Sequence, residues 1–239
     1  MAIHPFLAMT AAEMRGNSSL PGKIAWMACH FSPYGTGLSN LPAALPPDSL
    51  LILNDRTPIH GHDPELIARQ LGDCVRRLGC RGLLLDFQRP GCAETSELAK
   101  FLTNVLSFPV GVSEFYAADA DCPVFLAPVP PSMPLEAHIA PWERREVWLE
   151  LALGGEVITL TDQGAEATPL PFADDAEQCF AEDRLHCHYK IDLEENAARF
   201  TLWRTPEDLE ELTSEAEAQG IPAMIGLYQE LHPVLKNKM

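Results

Sequence analysis

The sequence predicts an α/β protein: a TIM-type (β/α) barrel with eight strands or fewer that carries a small β-rich insertion. Before residue 130, short apolar runs bounded by Gly and Pro alternate with stretches of helical periodicity, which is the order typical of a parallel sheet with crossover helices. After residue 147, apolar runs are joined by short polar turns, which indicates antiparallel hairpins. The chain has 239 residues, enough for one domain of barrel size. We therefore expect residues 1–239 to form a single barrel domain.

Each element of the first half has its own local signal, except that residues 1–22 give no clear element. Asp63 followed by Pro64 predicts a helix start, because Asp caps helices and Pro fits the first helical position. A central strand follows between Gly79 and Pro90, and its unbroken apolar run predicts burial on both faces. The other predicted elements of this half are strands at 24–31, 50–54, 108–116 and 123–127 and a helix at 96–106.

The second half predicts the insertion, at about 155–203. Gly154 and Gly155 lie between two apolar runs and predict a tight turn that joins two strands. A second hairpin is predicted further along, and Thr205 begins a pattern that resembles a helix capping box. The predicted strands of this half are 147–153, 156–160, 186–191, 199–203 and a closing strand at 221–228.

Composition limits the partners. The formal net charge of -17 disfavours nucleic acid and anionic membrane surfaces, and it favours a carbohydrate or another neutral small ligand. The start lacks a basic segment before an apolar core, and seven scattered cysteines are typical of reduced thiols, so we expect a cytoplasmic protein. No glycine-rich phosphate-binding motif is present, so no cofactor is expected. The oligomeric state stays open.

Two polar residues end the central strand. Asp86 and Gln88 are two apart, so an extended chain points both to one side. In parallel sheets ligands gather at the carboxyl ends of strands, which places this pair in the expected cleft. The run Arg81-Gly82-Leu83-Leu84-Leu85-Asp86-Phe87-Gln88 resembles the motif Asp-Gly-x-Asp-x-Asp-x-Glu of chitinase-like proteins of glycoside hydrolase family 18, and Gly82 and Asp86 match it.

The resemblance extends over roughly residues 80–232. Phe200–Trp203, Thr205–Leu209 and Met224–Tyr228 follow in the family's order, with Tyr228 where the family usually has Trp. Residues 126–129, Leu-Ala-Pro-Val, replace the family's Met-x-Tyr-Asp, which positions the acetamido group of the substrate. The resemblance also implies that the first 80 residues supply one strand fewer than in the family.

The resemblance implies a barrel that binds an N-acetylhexosamine-containing glycan and hydrolyses it. Gln88, however, stands where the family has its catalytic Glu. Because Gln cannot ionise, it cannot protonate the leaving oxygen of a glycosidic bond. We therefore expect a protein that binds such a glycan and whose catalysis is impaired or absent.

Further candidate site residues come from other predicted strand ends. Glu114 follows the next strand and is the residue that could replace the lost acid, so the catalytic set is Asp86, Gln88 and Glu114. The candidate substrate-binding residues are Tyr116, Tyr228, Asp55 and Glu150. Aromatic rings suit the apolar faces of sugars, and Glu150 alternates with Trp148 toward the barrel interior.

No metal site is expected. His60 and His62 adjoin a helix start, and no lysine or paired histidines follow them at further strand ends. His186 and His188 share one face of a predicted strand, but no carboxylate or Cys with ligand spacing accompanies them. Two alternatives to a glycan-binding barrel stay open. One is an unrelated TIM-barrel enzyme, and the other is a non-catalytic interaction module.

Overall fold

The structure is a computed structural model that describes residues 5–16, 23–35, 37–59, 61–117, 121–170 and 179–236. Its strands are β1 (Phe6–Met9), β2 (Lys23–Phe31), β3 (Leu38–Ser39), β4 (Leu50–Asn54), β5 (Gly82–Asp86), β6 (Val110–Ser113), β7 (Val124–Leu126), β8 (Val147–Leu151), β9 (Gly155–Thr161), β10 (Gly164–Leu170), β11 (Phe180–Glu182), β12 (Cys187–Glu194), β13 (Ala197–Trp203) and β14 (Ala223–Leu227). Its helices are α1 (Ala11–Gly16), α2 (Pro64–Leu78), α3 (Ala93–Val105), α4 (Leu135–Ile139), α5 (Pro206–Ala218) and α6 (Tyr228–Lys236), with a 3-10 turn at Ala140–Trp142.

The chain divides into two compact units. The barrel unit comprises Met1–Ala127, Arg144–Glu150 and Pro222–Tyr228. The sheet unit comprises Pro128–Glu143, Leu151–Ile221 and Gln229–Met239. The expectation of one domain over residues 1–239 stays a prediction.

Eight parallel strands form a closed barrel, which confirms the predicted fold class. They are β1, β2, β4, β5, β6, β7, β8 and β14, and β1 closes the ring by pairing with both β2 and β14. Phe6 is the partner of Lys23 on one side and of Ile225 on the other. Three barrel strands precede β5, so the expectation of one strand fewer in the first 80 residues is wrong. The missing strand is β1, a four-residue run within the segment that gave no signal.

The barrel interior is filled with apolar side chains. Leu84 of β5 packs there with Phe125 and Trp148. Leu83, Leu84 and Leu85 are all fully buried, so β5 is covered on both faces as predicted. Gly111 of β6 makes room for Trp148, because a Cβ at Gly111 would lie 2.5 Å from Cε3 of the Trp148 ring.

The predicted start of α2 is confirmed, whereas α3 starts earlier than predicted. The Asp63 side chain accepts a hydrogen bond from the Glu65 N–H (3.0 Å), and Gly79 ends α2 in the left-handed conformation with φ +64°. The helix predicted at 96–106 begins three residues earlier, at Ala93. Its cap residue, Cys92, makes no side-chain hydrogen bond, so the sequence held no cap signal there.

The sheet unit contains the predicted β-rich insertion. Its five antiparallel strands are ordered β10-β9-β13-β12-β11 and run from Gly155 to Trp203. The hairpin of β12 and β13 is confirmed. The hairpin predicted around Gly154 and Gly155 is wrong, because β8 pairs with β7 in the barrel, whereas β9 pairs with β10 and β13. Strand β10 was not predicted because its residues are mostly small or polar and show no alternation of apolar and polar side chains.

Arg204 follows β13 and is buried among main-chain carbonyls. Its guanidinium donates to the carbonyls of Val129 and Pro130 and to those of Leu185 and His186. Burial lowers the pKa of this side chain. These bonds tie the loop after β7 to the start of β12 within the sheet unit.

The next residue, Thr205, begins α5 with the predicted capping box. Its side chain accepts from the Asp208 N–H (3.2 Å), and Asp208 accepts from the Thr205 N–H (2.7 Å). Among the described residues, no helix is both long enough and apolar enough to span a membrane.

We predict that Gly111→Ala destabilises the protein. The new methyl group would overlap the Trp148 ring, and overpacking of this kind costs roughly 1–3 kcal/mol. Gly72→Ala is the matched control, because the atoms nearest to the methyl group there belong to the flexible end of Arg76 within α2, and Gly→Ala in a helix gains about 0.5–1 kcal/mol. Urea unfolding measures both changes, and equal stability of Gly111→Ala and the wild type would contradict the packing of Trp148 against Gly111.

Candidate active site

A cavity of about 790 Å³ lies at the carboxyl ends of β2, β4 and β5. We call it the mouth cavity and define it by six of the residues that line it: Trp26, His30, Asn54, Asp55, Asp86 and Gln88. The parallel register aligns Asn54 with Asp86, so neighbouring strands deliver these side chains to one place. The volume is within the range of small-molecule sites, which is about 300–1,000 Å³.

Asp55 holds the loop that follows β5. The residue is 6% exposed, and its two carboxylate oxygens accept the backbone N–H groups of Gln88 (3.1 Å) and Arg89 (2.9 Å). The Arg89 guanidinium in turn donates to the Arg56 carbonyl (2.7 Å). These bonds fix the loop after β5 to the loop after β4. Asp55 therefore positions the backbone of Gln88, and its predicted contact with substrate stays a prediction.

Asp86 and Gln88 form a hydrogen-bonded pair in the mouth cavity. Nε2 of Gln88 donates to Oδ1 of Asp86 at 2.5 Å. Burial raises the pKa of the Asp86 carboxyl, and the negative charge of Asp55 raises it further, while the bond from Gln88 opposes both. The pair thus presents a carboxyl group that is costly to ionise and an amide that does not ionise at neutral pH.

The structure places Glu114 at the same end of the barrel as Asp86 and Gln88, since β5 and β6 are parallel and in register. It does not place Glu114 among the residues that line the mouth cavity. Oε1 of Glu114 instead accepts the Ala127 N–H at 3.4 Å, next to the end of β7. A catalytic role for Glu114 stays a prediction.

Tyr116 is 8% exposed and joins the loop after β6 to the loop after β5. Its hydroxyl donates to the Arg89 carbonyl and accepts the Cys92 N–H (3.4 Å). The ring packs edge-on against Phe87 at 6.1 Å between centroids. These contacts give Tyr116 a structural role at the rim, and sugar stacking on its ring stays a prediction.

Glu150 and Tyr228 lie at the ends of other barrel strands, β8 and β14. Glu150 lies on β8 two residues after Trp148, so it continues the inward-facing row of that strand. Tyr228 directly follows β14 and is partly exposed. Neither residue lines the mouth cavity, and their roles in binding stay predictions.

Sequence reasoning missed His30 and Asn40. Nε2 of His30 lies 3.1 Å from the Asn40 amide nitrogen, and Nδ1 lies 2.8 Å from the Phe31 carbonyl oxygen, so Nε2 faces a donor and Nδ1 faces an acceptor. Nε1 of Trp26 donates to the Asn40 carbonyl (2.9 Å) and so fixes the indole beside the cavity. His30 lies near the end of β2, so the strand-end rule that singled out Asp86 applies to it equally.

We expected no metal site, and this expectation stays a prediction. His60 lies outside the described residues, and His62 lines a separate cavity of about 640 Å³ near the start of α2. His186 and His188 contact carboxylates of α5 in the sheet unit, at 2.7 Å to Glu215 and 2.9 Å to Asp208.

Comparison with known proteins supports the fold. No family model and no curated protein matches the sequence. Among solved structures, the chitinase from Chromobacterium violaceum superposes with a TM-score of 0.54 at 10% identity, over 93% of each chain. The chain has a chitinase-like barrel fold. The spore cortex-lytic enzyme SleL from Bacillus cereus gives a TM-score of 0.50 at 11% identity, over 90% of this chain and 67% of that chain. At these identities the likeness concerns the fold alone, and at that level it confirms the resemblance to chitinase-like proteins.

We predict that Asp86→Asn stabilises the protein at pH 7. Because the folded-state pKa of Asp86 is raised, folding favours its protonated form, and the wild type loses stability as pH rises from the ordinary pKa of about 3.9 through the raised one. The neutral variant avoids this loss, so its advantage should shrink toward zero near pH 3. Unfolding free energies measured from pH 3 to pH 8 check the prediction.

The control is Asp73→Asn, which changes an exposed carboxylate that pairs with Arg76 on the surface of α2. It should cost at most about 0.5 kcal/mol at pH 7. Lower stability of Asp86→Asn than of the wild type at pH 7 would contradict the assignment of Asp86 as a carboxylate that is costly to charge.

Proposed function

We propose that this protein is a chitinase-like barrel that binds an N-acetylhexosamine-containing glycan in the mouth cavity and has lost efficient hydrolysis. The observation that carries the proposal is the Asp86–Gln88 pair, which occupies the mouth cavity at the end of the motif strand. The barrel fold shared with a chitinase supports the ligand class. The formal charge of -17 also suits a neutral glycan better than a polyanion.

The cavity offers the groups that a neutral sugar requires. Asn54, His30 and Gln88 carry hydrogen-bonding atoms, and the Trp26 indole supplies an apolar ring. Aromatic faces and a few well-placed polar groups together bind and orient pyranose rings. Because Asp55 and Arg89 already fix the loop that carries Gln88, binding requires little ordering of that loop.

Cleavage requires a proton at the leaving oxygen, and Gln88, at the position of the family's acid, cannot supply it. A leaving glycosidic oxygen takes its proton from a carboxylic acid, and general acid assistance contributes roughly a hundred- to ten-thousand-fold in rate. The amide of Gln88 cannot fill that role, and it already donates to Asp86. The bound glycan should therefore remain intact or be cleaved slowly.

The first test is binding of chitotetraose by isothermal titration calorimetry. We expect the wild type to bind, and Trp26→Ala to bind about tenfold more weakly, because an aromatic contact contributes roughly 1 kcal/mol or more. Tyr34→Ala is the matched control, since Tyr34 is 98% exposed and does not line the mouth cavity. Circular dichroism verifies that Trp26→Ala is folded. Absence of wild-type binding, or equal binding by folded Trp26→Ala, would contradict a glycan site in this cavity.

The second test restores the carboxylate. Gln88→Glu should raise turnover of an aryl chitobioside by at least tenfold over a wild type with little or no activity, because the new side chain can act as the acid. Gln163→Glu provides a Gln→Glu control in an exposed turn of the sheet unit.

Two results would count against the proposal that Gln88 causes the loss of efficient glycan hydrolysis. Substantial wild-type activity that survives Gln88→Ala would mean that another acid operates, and Glu114 would be the next residue to change. Unchanged turnover in a Gln88→Glu variant that still binds the glycan would show that the cavity is not aligned for hydrolysis.

A further inference from the structure

The antiparallel sheet has one apolar face. Residues paired directly across neighbouring strands point to the same side of a sheet. Ile158 of β9 pairs with Phe200 of β13, which pairs with Ile191 of β12. The next row contains Leu160 and Leu193, which both pair with Ala198. We call the side that carries Ile158, Leu160, Tyr189, Ile191, Leu193 and Phe200 the apolar face.

Much of this apolar face is exposed. Leu193 is 82% exposed, Ile191 42% and Leu160 39%. At the edge strand β11, Phe180 is 59% exposed and its ring packs on Tyr189 at 5.4 Å. Soluble monomers rarely expose a contiguous apolar patch of more than a few hundred Å², and larger patches mark interaction surfaces.

The opposite face of the sheet is polar and partly engaged. On β12 it carries His188, Lys190, Asp192 and Glu194, which alternate with the residues of the apolar face. His188 lies 2.9 Å from Asp208 of α5, so this side has a helix as its neighbour. The apolar side is buried at Cys187 and Leu202 but open toward Leu193, whereas an ordinary two-layer element covers its whole apolar side.

We propose that the apolar face is the interface of a homodimer, in which the sheets of two copies pack face to face. The face itself is almost free of charge, so two copies of a chain with a net charge of -17 can meet there without opposing ions. Its two acidic residues, Glu156 and Glu182, lie at the end opposite Leu193, and Glu156 is 9% exposed and accepts the Ser132 N–H (2.6 Å).

The dimensions of the face fit a second copy. Strands about 4.8 Å apart and about 3.4 Å long per residue give five strands, of three to eight residues, a face of at most roughly 20 by 27 Å. Side chains on such a face can supply the roughly 800 Å² per partner that a standard interface buries. A flat patch that meets itself about a two-fold axis closes the assembly at two copies.

Charge also sets the orientation of the two copies. Asp162, Glu194 and Glu195 cluster where the β9–β10 and β12–β13 turns meet. Two such acidic ends would repel each other, so the turns of the two copies must point in opposite directions, as a two-fold axis through the middle of the face allows.

The experiment is sedimentation velocity on the full chain from 1 to 100 µM. We expect a dimer of the wild type, which persists in 0.5 M NaCl because apolar burial holds it. Ile191→Gln with Leu193→Gln should weaken dimerisation at least a hundredfold. The matched control is Lys190→Gln with Asp192→Gln, which places the same side chains on the polar face of the same strand without changing the net charge, and it should leave dimerisation unchanged.

Three outcomes would overturn the proposal. A wild type that is monomeric at 100 µM would assign the apolar face to another partner, such as a basic protein drawn by the acidic turns. Equal loss of the dimer in both folded double variants, verified by circular dichroism, would indicate a general defect of β12 rather than loss of the face. Dissociation of the wild-type dimer by salt would indicate that ionic contacts hold it.

Discussion

Closure of the barrel at β1 is the constraint on which the rest of the barrel unit depends. This four-residue strand pairs on one side with β2 and on the other with β14, so the ring has no open edge there. Because all eight strands run in one direction, their carboxyl ends share one rim. Polar side chains that end different strands, such as Asn54 and Asp86, therefore meet at one opening although a whole helix separates them in sequence.

The two aspartates of this rim have different hydrogen-bond partners. Both carboxylate oxygens of Asp55 accept main-chain N–H groups, and these bonds fix the loop after β5. Asp86 has an amide partner and an acidic neighbour, so its charged form is disfavoured. Gln88 satisfies Asp86 without adding a charge. A carboxylic acid at position 88 would add a second titrating group beside one that already resists ionisation, and the two would share protons as a coupled pair.

The sequence predicted the barrel because its central strands carry strong signals. The apolar run Leu83–Leu85, bounded by Gly and Pro, indicated a doubly covered strand, and Asp63 with Pro64 located the start of α2 to the residue. Strand β1 was not predictable, since a four-residue apolar run gains its structure only from neighbours far along the chain. The same holds for β10, whose small and polar residues carry no alternation.

The site was predictable in part for similar reasons. Strand-end position identified Asp86 and Gln88, which do share the mouth cavity. It could not show that the Tyr116 hydroxyl donates to the Arg89 carbonyl, or that Asn40 contacts both Trp26 and His30. Those contacts join loops that come together only in the folded barrel.

The two ends of the segment that forms the antiparallel sheet lie next to each other. The Arg204 N–H donates to the Gly154 carbonyl at 3.3 Å, and Gly155 pairs with Trp203. A segment with adjacent ends can be inserted, exchanged or deleted in evolution as one unit. After a deletion, a short linker can join the two ends, and the order of the strands before and after the segment is unchanged.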